Sequence, residues 1–262
     1  MFASFKTELR EMYESRNVLR ALIRKDLFGR YKNSAIGFAW HFIIPIVMMV
    51  VYYVVFQTVR ANAIPDFWVF LASGLFPFNF MMTNLNRGPG MIVTNGPMVK
   101  KMYFPRAILI ISEVLSSFII MLIGYSIILV AIALSGYPLT WAVLFLPVIL
   151  VLMLVFVLGY SLILSAITVY MRDIQYLVNS LSMVFYFLTP MYFSLSDVSG
   201  IFGTIILINP FTYYVESFHQ MIYHGVLPDA MLVGMCALIP VLFLVAGIIV
   251  FRRLKRGFAE RL

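Results

Sequence analysis

Few side chains in this sequence have the type and spacing for covalent chemistry. His41, His219 and His224 lack metal-ligand spacing such as H-E-x-x-H, and no G-x-S-x-G nucleophile elbow occurs. A serine in an apolar helix more often bonds to a backbone carbonyl than attacks a substrate. Glu113 is the acid at membrane depth, and two roles are open to it: a proton relay, or a structural ion pair with Lys100, Lys101 or Arg106. The single Cys236 cannot close an intrachain disulfide. No G-x-x-x-x-G-K-[ST] phosphate loop is present, and an ion couple would need more buried charge than these apolar runs hold. Energy must then come from elsewhere, and a separate nucleotide-binding subunit would supply it provided cytoplasmic elbows can be gripped, so the residues to find are those a partner can hold.

They stand in 87–106, RGPGMIVTNGPMVKKMYFPR, which interrupts apolar sequence with four cations and three prolines. Such a segment cannot sit in hydrocarbon and reads as a cytoplasmic elbow between two membrane helices. Within it, 95–102 is expected to form a short helix that receives a push from a separate ATPase. Its polar start at Asn95 and the pair Lys100 and Lys101 would seat in a cleft of that partner, and Phe104, Pro105 and Arg106 would make a stiff exit. A second tight turn carries Arg172 and Asp173, which suit a further contact, an inner-gate pair or a plain helix-end cap.

The elements that hold these turns follow from composition. With 63% hydrophobic and 11% charged residues, the chain lies outside the range of soluble domains. Its runs are apolar on every face and long enough to cross ~30 Å of hydrocarbon, which implies an all-α integral membrane protein and not a barrel. Six spans are expected, at 33–59, 67–86, 107–134, 141–170, 174–194 and 230–251, within a single domain covering 1–262. The net charge of +8 does not describe a nucleic-acid surface, because the cations cluster beside the spans. Eight of nineteen precede the first span and five follow the last; those at Arg87, Lys100, Lys101, Arg106 and Arg172 flank the others, leaving Arg60. With both termini cytoplasmic, eighteen of the nineteen face inward, as the positive-inside rule requires. The first apolar run follows a basic segment and is too long for a signal core.

Residues 1–32 read as an amphipathic interfacial helix, with Leu19, Leu22 and Ile23 on one face and Arg16, Arg20 and Arg24 on another. Packing against a partner is an alternative for the same face. Pro45 should kink the first span, and Pro77 and Pro190 should break the second and fifth, each freeing a carbonyl that a neighbour must satisfy. The 195–229 segment is apolar in pieces too short to cross, with a turn at Asn209 and Pro210 and Glu216 beyond it. It suggests an outer re-entrant helical hairpin, a surface loop being the alternative.

At this point the residues resemble a family. RYKNSAIGFAWHFIIP (30–45), FLASGLFPFNF (70–80), VTNGPMVKKMYFPR (93–106), YMRDI (170–174), LTPMY (188–192) and NPFTYYVE (209–216) are, in this order, similar to the ABC-2 permeases of bacterial polysaccharide exporters. The pattern departs at His219, where the resemblance leads to an Arg. The resemblance implies a type V exporter architecture in the bacterial inner membrane. It implies two copies of the permease and two of an ABC ATPase, with ATP and Mg bound by that partner and no cofactor in this chain. The substrate it implies is a lipid-linked polymer such as O-antigen, capsule or teichoic acid, passing between the permeases. Aromatic faces pack on the C–H faces of sugars, so Tyr52, Phe56, Phe76, Phe80, Phe185, Tyr192 and Phe193 are candidates to line the passage, with core or lipid-facing packing as the bland reading of any one ring. An ABC-2 exporter of a drug, lipid or peptide, a membrane enzyme acting on lipid-linked sugar, and an autonomous channel are the competing functions.

Overall fold

The computed structural model describes residues 11–29, 37–60, 64–101 and 104–261. Among these the chain is helical throughout, with no strand. Helix α1 (Arg16–Gly29) is followed by α2 (Trp40–Arg60) and α3 (Phe67–Arg87). Two short helices, α4 (Met91–Thr94) and α5 (Gly96–Lys101), form the elbow and lead into α6 (Ala107–Leu134). Then come α7 (Leu146–Thr168), α8 (Asp173–Leu188), α9 (Gly200–Ile208), α10 (Pro210–Phe218), α11 (Ala230–Leu254) and α12 (Phe258–Arg261). The stretches Ala107–Leu134, Trp141–Thr168 and Ala230–Gly257, of 28 residues each, are long and apolar enough to cross a membrane. A helical rise makes each ~42 Å long, more than the ~30 Å of hydrocarbon.

Helix α3 occupies the centre. Every residue in 69–78 is buried, so the helix has no solvent or lipid face over that stretch and packs against neighbours all round. Pro77 lies inside it and lacks the N–H that would bond the Ser73 carbonyl; the Tyr125 hydroxyl of α6 donates to that carbonyl instead. Further along, the Tyr160 hydroxyl of α7 donates to the Met81 carbonyl at 2.6 Å. Pro240 in α11 is treated the same way, its freed Cys236 carbonyl facing the Tyr214 hydroxyl of α10 at 3.3 Å.

Helices α7 and α11 form the closest pair in the fold, and the reason is glycine. A Cβ at Gly247 would lie 2.6 Å from the Gly159 carbonyl oxygen, and one at Gly159 would lie 2.6 Å from the Leu244 nitrogen. Small residues let two membrane helices approach to backbone contact, where dispersion replaces the missing hydrophobic force.

Three details add to or depart from the sequence expectation. The expected elbow helix is present as Gly96–Lys101, and a further short helix, Met91–Thr94, precedes it, its end capped by the Asn95 side chain folding back to donate to the Met91 carbonyl at 2.9 Å. Helix α8 stops at Leu188, six residues before the expected end, since Thr189 precedes Pro190 and takes the extended conformation that position favours. The fourth apolar run begins with a 3-10 turn, Trp141–Phe145, set by the Thr140 hydroxyl accepting from the Ala142 N–H.

Candidate functional site

Helices α2, α3, α6 and α8 enclose a groove of about 630 Å³. Five of the seven expected rings, Tyr52, Phe56, Phe76, Phe80 and Tyr192, line it. Tyr192 organises the outer part: its ring stacks on Phe56 at 5.0 Å with 4° between the planes and lies 4.6 Å from Tyr52. Phe76 and Phe80 come from α3 on the far wall, where the Gly124 backbone of α6 gives Phe76 room. Phe185 is placed elsewhere, edge-on to Phe211 at 5.0 Å under α10. Phe193 is half-buried beyond the end of α8 and is not among the lining residues.

The inner part of the groove is polar. Asn79, Thr83, Ser116, Ser117 and Asp26 line it with an ion pair, Arg87 Nη1 to Glu113 Oε1 at 3.5 Å. Glu113 is thus paired with Arg87, at the end of α3, a partner the sequence reading did not name. The reason is geometric: α3 and α6 pack side by side, which brings the last residue of one opposite the second turn of the other. Arg87 remains half exposed in the groove, and Glu113 largely covered. A groove with a wall of rings and a polar inner end matches a ligand that stacks with its faces and hydrogen-bonds at its edges.

The elbow has a buried side and an exposed one. Val99 and Phe104 pack with Leu22 of α1 and with Ile108 and Leu109 at the start of α6, and Val18, Leu19 and Met98 close the cluster. Helix α1 therefore docks its apolar face on this chain's own elbow, leaving Arg16, Arg20 and Arg24 exposed. Lys100 points outward and is exposed; the side chain of Lys101 lies outside the described residues. Phe104 faces inward, so it holds the elbow in place, with Pro105 half-buried beside it. Arg106 turns toward the C-terminal segment, donating to the Lys255 carbonyl with its guanidinium 5.7 Å from the Phe258 ring. Arg172 precedes α8 without a side-chain capping bond and Asp173 opens its first turn; both are exposed.

Asn209 caps α10 by accepting from the Phe211 N–H at 3.0 Å, while its amide donates to the Thr189 hydroxyl at 2.9 Å. Thr189 in turn donates to the Phe185 carbonyl, so one chain of bonds ties the broken end of α8 to the α9–α10 turn. Pro210 takes the first helical position, where its missing N–H costs nothing. Glu216 stands 3.8 Å from the buried His219, beyond hydrogen-bond length. His219 stacks on Phe70 at 3.9 Å, and its burial pushes the imidazole below its ordinary range against the opposing pull of Glu216. It opens a π-helical turn, His219–Tyr223.

Sequence reasoning missed Arg87 as an ion partner of Glu113, Thr189 as the tie to Asn209, and the tyrosines that satisfy the proline-freed carbonyls. The prolines marked which carbonyls needed a donor; nothing in the one-dimensional pattern said which tyrosine would supply it. Among the described residues no group of three His, Cys, Asp or Glu could hold a metal.

A family model described as ABC-2 type transporter matches residues 17–223. The chain is similar to a protein of Myxococcus xanthus named O-antigen export system permease protein RfbA, at 30% identity over 96% of this chain and 98% of the relative. A Klebsiella pneumoniae protein of the same name is 28% identical over 93% of this chain and 94% of its own length, and another from that organism is 27% identical with the same coverage.

Proposed function

Because this chain belongs to the ABC-2 type transporter membrane family, we propose that it is the permease subunit of an ATP-driven exporter of a lipid-linked polysaccharide. The observation that carries this reading is the groove in which Tyr52, Phe56, Phe76, Phe80 and Tyr192 converge above a polar inner end. Stacked rings hold sugar faces without fixing one register, which suits a polymer that must slide. Relatives of nearly full-length coverage are named as O-antigen export permeases, and O-antigen is the substrate we favour over capsule or teichoic acid.

Six crossings of the bacterial inner membrane complete the proposal, made by α2, α3, α6, α7 with its 3-10 lead, α8 and α11, with both termini in the cytoplasm. Helix α8 has 16 residues and rises only ~24 Å. Residues 189–194 finish its crossing, with Thr189 and Asn209 supplying the polar partners that broken backbone needs in hydrocarbon. The α9–α10 hairpin then dips back into the outer leaflet. Two copies form the passage between them, and two ATPase subunits bind beneath, engaging Lys100 on the elbow. ATP and Mg belong to those subunits.

The test is co-purification of the chain with the ATPase encoded beside it, together with surface-polymer staining in a strain lacking the native gene. Recovery of a stoichiometric ATPase, and polymer export that needs both proteins, supports the reading. A chain that recovers no ATPase under gentle extraction, or that turns over a lipid-linked sugar on its own, overturns it.

A further inference from the structure

The C-terminal segment 255–261 packs in a place that the transport reading does not require. Phe258 is fully buried although it lies beyond the last span. It meets Phe251 of α11 edge-on at 5.6 Å and lies 6.4 Å from the Tyr170 ring. Tyr170 follows the end of α7, and its hydroxyl donates to the Leu254 carbonyl at 2.9 Å. From the other side comes Arg106, the last residue of the elbow, whose guanidinium donates to the Lys255 carbonyl and lies over the Phe258 ring. The Arg261 guanidinium covers the Tyr170 ring at 5.5 Å, and the Tyr170 hydroxyl leaves no room for a Cβ at Gly257.

These contacts join three elements that the chain otherwise keeps apart: the elbow with α6, the cytoplasmic end of α7, and the cytoplasmic end of α11. Two of the links are hydrogen bonds onto backbone carbonyls, at Leu254 and Lys255, so what they grip is the main chain where α11 passes into the tail. Helices α7 and α11 are already locked by the Gly159–Gly247 approach and should move as one body. A displacement of the elbow can thus reach that body directly through Arg106, without passing along the length of α6.

We propose that 255–261 is a positioning element for transport, a strut through which Arg106, Tyr170 and Phe258 pass movement of the elbow to the α7–α11 pair. This rests on the exporter reading above. An effector can shift a distant equilibrium only through contacts that differ between two states, and the strut supplies a short, stiff set of such contacts.

The test uses the full permease–ATPase complex in proteoliposomes, measuring bound ATPase, ATP hydrolysis and polymer translocated per ATP for wild type, Phe258→Ala, Phe258→Leu and Tyr170→Phe. A coupling role of this kind predicts hydrolysis within about two-fold of wild type, with polymer per ATP reduced about ten-fold in Phe258→Ala, about three-fold in Tyr170→Phe, and preserved in Phe258→Leu. Tyr170→Phe removes a single hydroxyl and keeps the ring, so it reports on the link even where Phe258→Ala fails to fold. An unchanged polymer-to-ATP ratio in both variants overturns the inference and leaves the exporter reading standing. Export falling only in proportion to the complex recovered also overturns it, since that is a plain folding role. Failure of the wild type to bind an ATPase or move polymer removes the exporter reading, and the inference with it.

Discussion

The Tyr125 hydroxyl donates to the Ser73 carbonyl across 2.8 Å, and Ser73 is the residue four before Pro77. A buried carbonyl without a donor is costly in a protein interior and more so in hydrocarbon. The tyrosine removes that cost and, in doing so, fixes α6 against the break in α3, the helix that carries Phe76 and Phe80 into the groove.

Tyr125→Phe should therefore destabilise the protein by about 1–2 kcal/mol, the cost of one buried acceptor left unpaired. The same change in a Pro77→Ala background should cost less, because residue 77 then offers its own N–H to Ser73. Thermal unfolding in detergent of the two single variants and the double variant checks this. Equal losses in both backgrounds would mean that the hydroxyl acts elsewhere.

At the α7–α11 crossing, Gly247→Ala places a methyl 2.6 Å from a backbone oxygen, which no side-chain rotation relieves. Overpacking of this kind costs about 1–3 kcal/mol. Gly234, which has open space about it, serves as the control, and Gly234→Ala should leave the melting temperature unchanged or slightly raised.

Among the rings, half-buried Phe56 is the cleaner probe: Phe56→Ala should reduce polymer export while leaving the fold intact, whereas Tyr192 is buried in the core and Tyr192→Ala should cost stability as well as export. An aromatic contact is worth about 0.5–1.5 kcal/mol beyond its area, which corresponds to a loss of about two- to ten-fold for one ring. Phe185→Ala should behave differently. Its ring supports Phe211, so its main effect belongs in thermal stability, and an export defect without a stability loss would place it in the passage after all.

Lys100→Glu should weaken association with the ATPase without altering the permease, because Lys100 is exposed and the neighbouring Val99 and Phe104 hold the elbow from inside. Phe104→Ala should instead loosen α1 from the elbow, costing about 3–5 kcal/mol if the cavity stays open. Pull-down yield and melting temperature, measured on both variants, separate the two roles.

The turn that follows α10 should respond to acid. The His219 imidazole is held below its ordinary value of 6.5, so the unfolded segment binds the proton first and stability is lost as pH falls below that value. Glu216 and His224 act on it in opposite senses, the carboxylate favouring the charged form and the second imidazole opposing it. Protection factors over 210–223, that is, exchange corrected for its intrinsic slowing at lower pH, should fall between neutral and mildly acidic pH, and His219→Gln should flatten that dependence.

Composition and charge placement alone determined that the chain is a helical membrane protein with basic turns, because solvation in hydrocarbon acts residue by residue and leaves its mark on any long apolar run. The elbow at 87–106, the breaks at Pro77 and Pro190 and the turn at Asn209 were legible for the same reason: proline and polar clusters act locally. Five groove rings could be named because aromatic faces suit sugars, and Phe76, Phe80 and Tyr192 lie near those breaks while Tyr52 and Phe56 do not. The pairing of Arg87 with Glu113, the seat of α1 on Phe104 and the strut from Arg106 to Lys255 were not legible. Each joins residues distant in sequence through the rotation of packed helices, and a helix that is apolar all round carries no periodicity to say which side meets which neighbour. That choice was made by glycines at one crossing and by tyrosines finding the carbonyls that prolines had freed, both of which are properties of the assembled bundle.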